Sequence, residues 1–110
     1  MKTSVHAVIA LVMGSAFGAA HASTDLSKAS ELAKANGCYS CHSADEKVVG
    51  PSFKSIAAKY AGDPTAAAGL AQSIQNGSRG KWGRIPMPPH GSMSSDDVKT
   101  LANWVMTFKD

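Results

Sequence analysis

After residue 25, apolar residues recur at spacings of three and four, and glycine or proline interrupts each run. That spacing puts apolar side chains on one face of a helix. In "LSKASELAKAN" (26–36), Leu26, Ala29, Leu32 and Ala33 share a face. Asn36-Gly37 ends the run, because glycine accepts the left-handed conformation just past a helix end. "SFKSIAAKYAG" (52–62) turns Phe53, Ile56, Ala57 and Tyr60 inward, with Ser52 as N-cap and Gly62 as stop. "DPTAAAGLAQSIQNG" (63–77) opens on Asp63 as N-cap and Pro64 at the first helical position. It directs Ala67, Leu70 and Ile74 inward and stops at Asn76-Gly77. "SSDDVKTLANWVMTFKD" (94–110) takes Ser94 or Ser95 as N-cap. Asp96 and Asp97 suit the positive end of its dipole. Val98, Leu101, Ala102, Val105 and Phe108 form its buried stripe. No long β-branched run competes, so the chain reads as all-α.

Between the last two helices lies "GSRGKWGRIPMPPHGSM" (77–93). A loop this long in a small domain is usually functional or disordered. Trp82 and the prolines around Met87 argue for order.

The first 22 residues follow another pattern. Lys2 precedes a largely apolar run, which ends in the small residues of "AHA" (20–22). This is the layout of a secretory leader cleaved after Ala22. The run is too short and too glycine-dotted for a retained span, which needs about 20 predominantly apolar residues. The expected domain is 23–110, and its 88 residues hold no second run of that kind. Without Lys2 it carries 10 Lys and Arg against 8 acids, a net charge of +2. These charges are interspersed, whereas a nucleic-acid binder clusters them on one face. The whole chain has only seven aromatic residues, one of them in the leader, a thin core for such a length. Small domains often complete theirs with a metal, disulfides or a cofactor.

The two cysteines stand in "CYSCH" (38–42). A structural disulfide is one reading for an exported protein. A thioredoxin-like redox pair wants a βαβ context, which a helical chain lacks. A zinc site wants two more ligands at matching spacing. Cys-x-x-Cys-His is the signature of covalent haem attachment. Cys38 and Cys41 would add to the two vinyl groups of one haem, and His42 would be the proximal iron ligand. The second nitrogen of such a histidine needs a partner that fixes its tautomer. "VGPSF" offers the carbonyl of Pro51, although Pro51 is equally a residue that merely precedes a helix.

For the sixth iron position the sequence offers Met87, Met93, Met106, His90 and His21. His21 leaves with the leader, Met106 reads as a core residue, and Met93 lies in a polar loop. Met87 is favoured, because Pro86, Pro88 and Pro89 restrict φ and stiffen the loop that would present its thioether.

Four stretches then carry a resemblance: "NGCYSCH", "KVVGPSFKSIAAKYAG", "LAQSIQNGSRGKWGRIPMPP" and "LANWV". The chain resembles the small bacterial class I cytochromes c of the c-551 (c8, c-552) type over all of 23–110. The resemblance implies an all-α class I cytochrome c fold, short helices wrapped around one covalent haem c, with the first and last helices crossing. It implies attachment through Cys38 and Cys41, iron ligands His42 and Met87, a Pro51 carbonyl that orients His42, and a Trp82 indole N–H on a haem propionate. Two positions depart from the family. His90 stands where relatives often have asparagine, and Ser73 where they often have arginine, so that Arg79, Lys81 or Arg84 is left to hold the propionate. The function implied is a periplasmic, monomeric electron carrier and not an enzyme. Its transient partners would be a membrane cytochrome complex that oxidises quinol on one side. On the other would be nitrite reductase, a terminal oxidase or cytochrome c peroxidase. Lys34, Lys47, Lys54 and Lys81 are candidates for a basic ring around the haem edge, though single lysines are usually plain solvated residues.

Overall fold

The computed structural model describes Gly14 and residues 20–109. Four helices follow one another: α1 (Ala20–Ala35), α2 (Phe53–Lys59), α3 (Ala66–Asn76) and α4 (Ser95–Val105). A short 3₁₀ turn, Cys38–Ser40, lies between α1 and α2. Among the described residues there is no strand, only the isolated bridges His42–Lys47 and Ser78–Met87. The all-α expectation holds. The expected leader, residues 1–22, lies outside the described residues except for Gly14 and the first turn of α1.

α4 is the hub, packing on α1, α2 and α3. Val98, Leu101, Ala102 and Val105 are buried as the periodicity requires. Each larger one contributes about 1.5–3 kcal/mol by leaving water. Ala29 and Ala33 have no exposed surface, and side chains this small let α1 approach closely. Lys28 adds a 3.2 Å ion pair to Asp97. The caps agree with the sequence. The Ser52 hydroxyl accepts from the Ser55 amide at 3.0 Å, and that of Ser94 from the Asp97 amide at 3.1 Å.

Several boundaries differ. α1 starts at Ala20, six residues ahead of Leu26, since no glycine or proline interrupts this stretch. Leu26 itself is 43% exposed, so the buried stripe of α1 begins at Ala29. α3 starts at Ala66, not at Pro64. Asp63 instead accepts from the amide and the hydroxyl of Thr65, both at 2.8 Å. This local turn competes with helix initiation. α4 ends at Val105 because Phe108 folds back, 5.0 Å from Trp104 and 5.1 Å from Phe53 between ring centroids. Trp104, outside the expected stripe, is buried at the centre of this aromatic group. A helix with neighbours on several sides needs a wider apolar face than one stripe.

Of the eleven buried apolar residues among those described, five are alanine. The core is thin, as the chain length implies. Beside it opens the cleft that contains the candidate site.

Candidate functional site

The cysteine motif is set by a tight turn at the end of α1. The amides of Cys41 and His42 both donate to the Cys38 carbonyl, at 3.1 and 2.9 Å. This winding brings Cys38, Cys41 and His42 into the wall of one cleft. The chain then folds back. The Gly50 amide donates to the Cys41 carbonyl at 2.7 Å, and the Phe53 amide to that of Ser43 at 2.9 Å. Pro51 is thereby brought to the ring of His42.

His42 Nδ1 lies 2.7 Å from the Pro51 carbonyl. A carbonyl only accepts, so Nδ1 carries the proton and Nε2 keeps its lone pair for a metal. Two further contacts fix the ring plane. Phe53 stacks on it at 5.3 Å and 23°. Gly50 packs against its other atoms so closely that a β-carbon there would lie 2.7 Å from Cε1. The one sequence signal for Gly50 is its place directly before Pro51 in "VGP".

Met87 comes from the loop after α3. Its amide donates to the Ser78 carbonyl at 2.8 Å, and the Ser78 amide donates to its carbonyl at 3.1 Å. This two-way bridge closes the loop at its base. Gly77, just before it, has φ +78°, a conformation that favours glycine. A β-carbon on Gly77 would also lie 2.7 Å from the Met87 carbonyl oxygen. In the sequence Gly77 reads only as a helix stop, and no local pattern marks Ser78.

Met87 and its neighbours Pro86 and Pro88 line the cleft. Met93, His90 and Met106 do not. Met93 packs against the hydrophobic core, while the His90 amide donates to the Ile74 carbonyl at 2.9 Å. Met106 caps the end of α4. His21 lies in the first turn of α1. Trp82 lines the cleft half-buried, with Lys59 Nζ 4.4 Å from its ring centroid.

The cleft is open on one side and spans about 1070 Å³, the solvent space at its mouth included. Its wall is mostly apolar, with Ile56, Leu70, Ile74, Leu101 and Val105 beneath and Val49 and Ile85 at the exposed rim. Burial pushes the Cys38 thiol above its ordinary pKa, and the neighbouring Cys41 adds to the rise. A redox-active Cys-x-x-Cys pair has the opposite tendency. An apolar cavity with two thiols and one bare imidazole nitrogen fits a large hydrophobic macrocycle with a central metal. Of the lysines expected around it, only Lys81 lines the cleft. Lys34 pairs with Glu31 at 3.3 Å and Lys54 with Asp45.

The pattern of the cytochrome c family matches residues 26–109, and the chain belongs to that family. Its closer kinship is with the small class I members of the c-551/c-552 type. Cytochrome c-552 of Nitrosomonas europaea is 53% identical over 79 residues, which are 72% of this chain and 77% of that protein. Cytochrome c-551 of Pseudomonas aeruginosa is 54% identical over 78 residues, 71% of this chain and 74% of that protein. The crystal structure of wild-type Nitrosomonas europaea cytochrome c552 superposes with a TM-score of 0.70 at 52% identity, covering 73% of this chain and 99% of that one. The chain is thus a haem c electron carrier with one covalently bound haem.

Proposed function

We propose that the chain is exported, loses residues 1–22, and works in the periplasm as a one-electron shuttle with a six-coordinate iron. Cys38 and Cys41 would hold the haem through thioethers. His42 Nε2 and the Met87 sulfur would bind its iron. When bound, the haem supplies an iron that takes one electron from a reduced partner and passes it to an oxidised one. The observation that carries this reading is the convergence of Cys38, Cys41 and His42 with Met87, from distant segments, on one apolar cleft. His42 needs no rearrangement to bind, because Pro51 holds its tautomer and Gly50 and Phe53 hold its plane. The soft Met87 thioether favours ferrous iron and raises the potential.

With His42 and Met87 both on the iron, peroxide and oxygen would find no position there, so the chain would be a carrier and not an enzyme. Its partners are a quinol-oxidising membrane cytochrome complex and a terminal oxidase, nitrite reductase or cytochrome c peroxidase. No described helix is long and apolar enough to cross a membrane. Exposed Val49 and Ile85 at the cleft rim suit the small, short-lived contacts of redox partners.

The test is the optical spectrum of the holoprotein with added cyanide or CO, beside Met87→Ala and Met93→Ala. The native protein and Met93→Ala should be low-spin and closed to both ligands, and Met87→Ala should bind them. A high-spin native spectrum, or peroxidase turnover unchanged by Met87→Ala, would sink the proposal.

A further inference from the structure

Lys81 is the one lysine, arginine or acidic side chain among the described residues that line the cleft. Arg79 and Arg84, its neighbours in the loop, are exposed and do not line it. Lys81 is also held in place. Its Nζ donates to the Ser73 hydroxyl at 3.0 Å, and its carbonyl accepts from Lys59 Nζ at 3.3 Å. Lys59 lies in turn over the Trp82 ring. The segment that bears Lys81 and Trp82 is therefore tied to α2 through Lys59 and to α3 through Ser73.

A smaller hollow of about 310 Å³ adjoins the cleft and shares Tyr60, Leu70, Ser73 and Lys81 with it. The acid in that hollow, Asp63, is occupied by Thr65. Lys81 is left without a carboxylate partner in either cavity. Haem carries two carboxylates. In an apolar cleft each needs a cation or hydrogen-bond donors, since an unpaired buried charge is costly. Ser73 accepts from Lys81, so its own O–H proton is free to donate, and Lys81 has two further N–H groups.

Resting on the haem reading above, we propose that the Lys81–Ser73 pair is this chain's partner for a haem carboxylate, with Lys81 as a positioning residue that tunes the iron's potential. The ammonium stabilises the ionised carboxylate. It also adds positive charge near the iron, which favours the ferrous over the ferric form.

The experiment is redox potentiometry of the native holoprotein, Lys81→Met, Lys81→Arg, Ser73→Ala, Arg79→Met and Arg84→Met, each at low and high salt. All should keep the native low-spin spectrum, so any change in potential is separate from the axial ligands. In Lys81→Met the equilibrium constant for reduction should fall roughly three- to tenfold at low salt, and less at high salt, which screens an exposed charge. The carboxylate step in the potential-against-pH curve should also move to higher pH, because a nearby positive charge had favoured ionisation. Lys81→Arg should restore both properties, and Ser73→Ala should shift them the same way but less. The proposal is overturned if Lys81→Met changes neither property, or if Arg79→Met or Arg84→Met produces the shift instead. A native spectrum that is not six-coordinate would break the ligand assignment, and potentials of the same variants would still report on Lys81.

Discussion

The two walls that supply the candidate iron ligands are built differently. The His42 wall is local. Residues 38–53 wind through one turn, fold back on the Cys41 and Ser43 carbonyls, and press His42 between Gly50 and Phe53. Phe53 is itself locked to Trp104 and Phe108 in the core. Aromatic pairs of this kind are worth about 0.5–1.5 kcal/mol each beyond their burial. The Met87 wall is a long loop over the surface. It is fastened at its base by the Ser78 bridge and at Lys81 by two lysine contacts, while Ile85 is 67% exposed. Segments with few buried contacts open at lower cost than the core. The histidine is thus anchored by packing and the methionine by a few points of attachment, and the Met87 wall should yield first.

The largest change comes from removing what joins the two walls. In Cys38→Ala with Cys41→Ala, exported normally, cooperative folding should be lost, as read by circular dichroism and protease sensitivity, because five of the eleven buried apolar residues are only alanine. A cooperative, haem-free fold would show that each wall stands alone.

Next come the two glycines. Gly77→Ala forces a side chain into φ +78° against the Met87 carbonyl, and should cost about 2–5 kcal/mol from backbone strain and overpacking. Gly50→Ala meets the edge of a ring and should cost about 1–3 kcal/mol. Gly77→Ala should admit cyanide while His42 stays bound, whereas Gly50→Ala should disturb the histidine and leave the iron closed. Chemical denaturation and ligand titration read both, and the opposite pattern would reverse the ranking of the walls.

A smaller effect is expected at Ser52, buried at the start of α2 behind the His42 wall. Ser52→Ala should lower stability by about 1 kcal/mol without changing the spectrum.

The smallest lies at Asp63, on the Met87 side of the molecule. The Thr65 amide, and then the Thr65 hydroxyl, hold its carboxyl below the ordinary value of 3.8. A depressed folded value means the contribution is present above that pH and is lost as pH falls through the lower folded value. The group is fully exposed, so Asp63→Ala should have only a slight thermal deficit at neutral pH, vanishing in acid. A deficit that persists in acid would assign the effect to something other than the charged form.

The four helices, the caps at Ser52 and Ser94, and the stop at Asn36-Gly37 were legible because each depends on neighbours within a turn or two. The covalent haem that "CYSCH" implies was legible for the same reason: attachment needs those residue types at that spacing. Boundaries failed where local options compete, as at Asp63, whose side chain prefers Thr65 to capping a helix. What only the tertiary structure decided are meetings between distant segments. It brought Met87, and not Met93, into the cleft with His42. It laid Gly50 against a histidine ring and Gly77 against the Met87 carbonyl. It buried Trp104 among Phe53 and Phe108, and picked Lys81 from three neighbouring cations. Periodicity states which face of a segment turns inward. It carries no information on which other face will be there to meet it, because that depends on how all the segments close on one another.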